Sequence, residues 1–336
     1  MMALRMLKIA AISLALSVVA AGPASAQQQK KTYNIGAAVY GLKGEFMQLW
    51  ANALKEHPAV KDGSVKITVF DGKYDALTQN NQFETMVTQK YDGILFVPID
   101  IKAGAEAVEK AAKAKIPVVG SNTRVDSAKL TSYVGSNDVI AGEMEAESVI
   151  KAMGGKGNVV ILEGPIGQSA QIERRKGNQN VLAKYKDVKV LEMKTANWSR
   201  AEALSLMENW LTAHKGKING IIGQNDEMAL GAIEALKAKG IDPKTIPIAG
   251  IDGVADAVRA VQAGNMVSVL QDASAQAQGS LDVLLRAIQG PSYTPRSPIW
   301  AKYKAAGLDW AGGTAKHYNI PWTPITKENA ASMLPK

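Results

Sequence analysis

The chain has 336 residues, no cysteine and a formal charge of +8 at pH 7. The lack of cysteine excludes disulfides, thiolate metal sites and a lipid-modified cysteine behind a leader, and a chain of this length buries enough surface to fold without cross-links. Its lysines are scattered singly or in pairs, so the positive charge reads as a solvated basic surface and not as a nucleic-acid footprint.

Met1 to Lys8 forms a short basic region carrying Arg5 and Lys8, followed by an apolar run from Ile9 to Ala21. That run is shorter than the ~20 residues needed to span a bilayer. Ala24-Ser25-Ala26 then supplies the small-x-small pattern cut by signal peptidase. Residues 1–26 are therefore expected to be a signal peptide, cleaved after Ala26, and the mature chain to be free and soluble in the periplasm.

From Tyr33 to about Ile288, short apolar runs alternate with longer helical patterns. Phe46, Leu49, Trp50 and Leu54 share one face of the first predicted helix, which Pro58 closes. Ile94 to Val97 and Val159 to Leu162 are continuously apolar, as parallel strands covered on both faces are. Ser199-Arg200-Ala201-Glu202 reads as a capping box opening the helix of Leu204, Met207 and Leu211. Ile221-Ile222 is a further strand. The helix carrying Leu230, Ile233 and Leu236 ends before Gly240, and Ile246 to Ile251 is the next apolar run.

Such alternation defines an α/β fold of doubly wound parallel sheets, and so many units over this length favour two sheets over one. The expected division is 27–136 with 272–300 as one lobe and 137–271 as the other. After Gly290 the pattern fails: prolines and three tryptophans (Trp300, Trp310, Trp322) predict an irregular tail over 301–336, without a lobe assignment.

Ligands of open α/β sheets bind beyond the carboxyl ends of the strands. The residues at those positions are rich in neutral hydrogen-bonding groups. Tyr40 follows the first strand, with Phe46 shortly after; Asp100 follows Val97; Ser121-Asn122-Thr123 follows Val119. Gly164 to Ser169 follows Leu162, with Arg174 a turn further on; Asn225-Asp226, Asp252-Gly253 and Gln271-Asp272 complete the set. Amides, carboxylates and guanidinium pair with adjacent hydroxyls, and aromatic faces cover a sugar ring, so this set suits a polyhydroxylated ligand. Each also has a plainer role open to it: Asn225 or Asp226 as a helix cap, Trp198 packing over a helix start, Tyr40 and Phe46 as core.

Catalytic patterns are missing. The three histidines are far apart and none follows a strand; there is no zinc-binding His-Glu-x-x-His and no nucleophile elbow. Gly164-Pro165-Ile166-Gly167 lacks the Lys-Ser/Thr of a P-loop and the third glycine of a dinucleotide site, and reads as an ordinary β–α turn. No cofactor and no metal are expected.

Gln224 to Ala232, Ile116-Pro117-Val118-Val119, Gly167-Gln168-Ser169-Ala170 with Glu173-Arg174, and Gly250 to Gly253 occur in an order and spacing that resemble the type I periplasmic binding proteins of bacterial sugar importers, the ribose-binding type above all. The resemblance covers roughly Tyr33 to Gly290. It implies two lobes joined by three hinge strands, with the ligand between them. It also implies that Arg174, Asn225 and Asp252 clamp the ligand from the second lobe. Trp198 would lie against the sugar, and Gln271, or Asp272 given a spacing one residue short, would bond it from the hinge. In the first lobe Phe46 matches an aromatic position and Asn122 stands where ribose binders have aspartate. Thr123 and Val97 replace an expected arginine and asparagine, and the asparagine expected near Lys43 is missing, so another neutral monosaccharide or a sugar alcohol fits better than ribose.

The resemblance further implies a monomer that serves a membrane permease and its ATPase, with no bond made or broken. A lactose-repressor-like regulator would need an N-terminal helix-turn-helix where this chain has its leader. An exported sugar-acting enzyme would draw a carboxylate pair from among Asp100, Asp226 and Asp252. A signalling-molecule or nucleoside binder on the same scaffold is not separable by sequence.

Overall fold

The structure, a computed structural model, describes residues 31–334. The expected signal peptide lies outside them. The first half alternates β1 (Tyr33–Val39), α1 (Glu45–Lys55), α2 (Pro58–Lys61), β2 (Val65–Asp71), α3 (Ala76–Thr88), β3 (Gly93–Val97), α4 (Ala103–Lys113), β4 (Val118–Ser121) and β5 (Ser132–Gly135). The second runs α5 (Asp138–Ala152), β6 (Gly157–Glu163), α6 (Ser169–Leu182), β7 (Val188–Thr195), α7 (Arg200–Ala213), β8 (Gly220–Gly223), α8 (Asp226–Ala238), β9 (Ile248–Asp252), α9 (Ala255–Gln262) and β10 (Val267–Leu270). Then come α10 (Ala273–Gln289), β11 (His317–Asn319) and β12 (Thr323–Ile325).

Two six-stranded sheets result, in the orders β11-β5-β4-β3-β1-β2 and β12-β10-β9-β8-β6-β7. Every pairing is parallel except β10 with β12. All residues of β3, β8 and β9 are buried, which accounts for their unbroken apolar runs. In α1 the inward residues are Phe46, Met47, Trp50 and Leu54; Leu49, expected on that face, is 40% exposed. At α7 the Ser199 Oγ accepts from the Glu202 N–H at 3.3 Å, but the Glu202 carboxylate turns to Asn197 Nδ2 at 2.7 Å, so the reciprocal half of the expected capping box is missing.

The chain passes between the sheets three times: at Ser136-Asn137, at Gln271-Asp272 and over Ile320 to Trp322. The last passage corrects the expectation of an irregular tail. Residues 317–325 give β11 to the edge of one sheet and β12 to the edge of the other. Trp300 and Trp310, 4.7 Å apart edge to face, pack with Tyr318 under the first lobe. There the buried Asp282 accepts from His57, Tyr293, Trp300 and two backbone N–H groups.

Across the gap the lobes touch directly. Ile101 N–H donates to Gly167 O at 3.1 Å, Gln168 Nε2 to Pro98 O at 3.1 Å and Arg124 N–H to Ser169 Oγ at 2.6 Å. Arg124 also pairs with Glu173 at 3.4 Å, and Glu45 accepts from the Ala255 N–H that opens α9. The conformation is a closed one.

Candidate binding site

Strand ends from both sheets meet in this gap. Tyr40, Phe46, Asn122, Arg174, Trp198, Asn225, Asp252 and Gln271 all line a single cavity, together with Gln168 and Ala170. Gln168 falls within the expected Gly164 to Ser169 stretch without having been singled out, and Ala170 lies one residue beyond it. The cavity has contracted to about 10 Å³, roughly the space of one water.

Arg174 is its organising group. Its Nε donates to Asp138 at 2.8 Å, Nη1 to the Gln224 carbonyl and Nη2 to Gln271 Oε1 at 3.3 Å. The guanidinium lies 5.4 Å from the Trp198 ring and 5.8 Å from the Trp322 ring. Its direct ion-pair partner is Asp138, at the start of α5. Burial pushes the Asp138 carboxyl up while Arg174 draws it back.

Asp252 ends β9 with φ 133°, in the region that favours glycine, and no side-chain hydrogen bond holds it. Asp226 fixes the backbone beyond it. One carboxylate oxygen of Asp226 accepts from the N–H groups of Gly253 and Val254 at 2.6 and 3.0 Å, the other from Ser268 Oγ at 2.6 Å. Burial pushes the Asp226 carboxyl up to about 6. It pushes Asp252 well above the carboxylate range, against the pull of Arg174 and with a further push from Asp226.

The amides divide their work. Asn225 Oδ1 caps α8 by accepting from Met228 N–H at 3.0 Å, so the capping role and the cavity position coexist. Asn122, at φ 60°, donates to Gln276 Oε1 at 3.2 Å. Gln271 spends its oxygen on Arg174 and leaves Nε2 buried without a partner. Such an orphaned donor is expensive in a packed core and expected where a ligand completes the pairing. Trp198, at φ 59°, donates its Nε1 to Gln168 Oε1 at 2.6 Å and lies flat against Gly164, where any Cβ would overlap the indole.

Other candidates are elsewhere. Asp272 caps α10 through Ala275 N–H and bonds Lys302 and Tyr303, both at 2.6 Å, so the hinge position facing the cavity is Gln271. Asp100 caps the turn into α4, and Thr123 donates to Pro98 O at 2.7 Å. Arg175 is held by Glu163 away from the cavity. No group of His, Asp and Glu able to hold a metal ion occurs among the described residues.

A two-lobed α/β body with a polar interlobe cavity defines a solute-binding architecture. The chain belongs to the periplasmic binding protein domain family, whose pattern it matches over residues 35–292, and its fold is that of the type I members. It is 34% identical over 281 residues to the xylitol-binding protein of Mycolicibacterium smegmatis, covering 83% of this chain and 78% of that one. It is also 34% identical over 263 residues to a putative rhizopine-binding protein of Rhizobium meliloti, covering 76% and 84%. Among solved structures it resembles an ABC transporter solute-binding protein of Bacillus halodurans with bound myo-inositol. There the TM-score is 0.79 and the identity 29%, with 91% of this chain and 98% of that one covered.

Proposed function

We propose that this protein is the periplasmic solute-capturing component of an ATP-driven importer, holding a neutral monosaccharide or sugar alcohol between its lobes. The observation that carries this reading is the buried interlobe ring of amides, carboxylate, guanidinium and aromatic faces, with Gln271 Nε2 unpaired within it. Its charge is balanced: Arg174 is matched by Asp138, and burial drives Asp252 toward its neutral form. A ligand bearing hydroxyls and no net charge meets that balance. The xylitol and myo-inositol named for two of the similar proteins support the same chemistry.

Capture proceeds by lobe movement. The contracted cavity admits a sugar only when the three crossings let the lobes part; the solute then bridges both halves and shifts the population toward the closed form. That form is what a membrane permease and its ATPase would receive, with no bond made or broken, and the protein acts as a monomer exported by residues 1–26.

The test is a thermal-shift screen with D-ribose, D-allose, xylitol and myo-inositol. A ligand at 100 times its dissociation constant stabilises the fold by about 2.7 kcal/mol. Absence of any shift across neutral sugars and polyols, or turnover of one of them, overturns the proposal.

A further inference from the structure

The two lobes carry the same loop twice, at the same place. Val39 pairs with Asp71 in the first sheet and Glu163 with Thr195 in the second. After each pair the chain makes the same turn: Gly72 N–H donates to Val39 O and Ala196 N–H to Glu163 O, both at 2.8 Å. Two consecutive non-glycine residues then adopt positive φ, Lys73 and Tyr74 at 52° and 59°, Asn197 and Trp198 at 54° and 59°. Asp75 and Ser199 follow as helix caps. Tyr74 is thus the counterpart of Trp198 in the other lobe.

Both turns throw an aromatic ring back over a glycine: Trp198 over Gly164, Tyr74 over Gly41. Paired left-handed residues are costly and cluster at ligand clamps. Trp198 serves the inner cavity. Tyr74 does not reach it; its ring stands edge-on against Tyr40 at 5.4 Å. Tyr74 and Trp198 instead share a second, larger cavity of about 620 Å³. That is within the roughly 300–1,000 Å³ of small-molecule sites. The acids lining it are engaged, Glu227 by Arg200 at 2.7 Å and Glu202 by Asn197 at 2.7 Å, whereas Lys43 and Lys73 face it with their donors free.

We propose that this vestibule is an outer subsite for a second sugar ring, so that the protein also takes glycosides whose first ring fills the inner cavity. The half-buried Tyr74 offers the aromatic surface from one lobe, the buried Trp198 lines the wall from the other, and Lys43 and Lys73 donate to the ring oxygens. The proposal rests on the sugar-binding reading and extends it.

Isothermal titration tests it, first with D-ribose, D-allose, xylitol and myo-inositol, then with the glucosyl derivative of whichever binds. The glucosyl derivative is expected to bind about three- to tenfold tighter, the size of an added aromatic stacking contact. Tyr74→Ala and Lys73→Ala are each expected to bring the ratio of the two dissociation constants back toward one. A general loosening of the fold leaves that ratio unchanged, and Tyr74→Phe retains the gain. A glucosyl derivative that binds no tighter than the parent, or a ratio unmoved in Tyr74→Ala, overturns the outer subsite while the inner site stands. Failure of every sugar and every glucosyl derivative overturns both.

Discussion

The Arg174 guanidinium lies over the indole of Trp322 at 5.8 Å, and that contact ties the interlobe cavity to the third passage between the sheets. The other two passages reach the same guanidinium, one through Asp138, which directly follows Asn137, and one through Gln271. Trp322 also donates Nε1 to the Asn137 carbonyl at 2.8 Å, joining the first passage to the third. One buried cation therefore touches the cavity and all three connections.

Trp322→Ala removes a cation–π contact worth about 0.5–2 kcal/mol. The expected result is a twofold to thirtyfold loss of ligand affinity, seen by titration, with Trp322→Phe recovering part of it. Unchanged affinity would mean that the third passage does not support Arg174.

Arg174 and Asp252 separate structure from binding. Arg174→Ala strands the buried Asp138 and is expected to cost about 3–5 kcal/mol in chemical denaturation, besides abolishing binding. Asp252→Asn removes a carboxylate that burial already disfavours as an anion. At pH 7 it is expected to leave the unliganded melting temperature equal or higher, while the ligand-induced shift disappears.

Asp226 acts through the backbone it holds. Asp226→Ala frees the N–H groups of Gly253 and Val254, and the strained Asp252 loses its fixed position. Affinity is expected to fall at least tenfold, about 1.4 kcal/mol, as measured by titration. The unpaired Ser268 hydroxyl adds a modest loss of stability.

Glu145 provides a pH signature. It is fully buried in α5, has one oxygen on Asn178 Nδ2 and the other without a partner, and burial raises its carboxyl from 4.5 to about 8. The folded protein thus holds a proton there that the unfolded chain releases above about pH 4.5. Glu145 therefore lowers stability progressively as pH rises from about 4.5 to about 8, and not below that window. Glu145→Gln is expected to flatten the denaturation free energy across this range, with the largest gain at the alkaline end. An unaltered pH slope would refute it.

The inner site was legible because strand ends are legible. An apolar run such as Val159 to Leu162 marks where a sheet strand stops, and the next few residues must face the cleft. Asp138 was not, since an acid at a helix start looks like any other N-terminal carboxylate until Arg174 arrives from α6. Leu49 misled because Met47 takes the inward position that a strict apolar count gave to leucine. The pairing of 317–325 was invisible for a different reason. Strands of three residues carry no periodicity, and their partners lie remote in sequence.

Those short strands bear on the order of assembly. Ten strands precede them, so β5 and β10 stand as edge strands until His317 to Ile325 is made. Open edges invite pairing with other chains. During synthesis β5 and β10 therefore stay unpaired on one side, and a single nine-residue stretch covers both, replacing them with edge strands only three residues long.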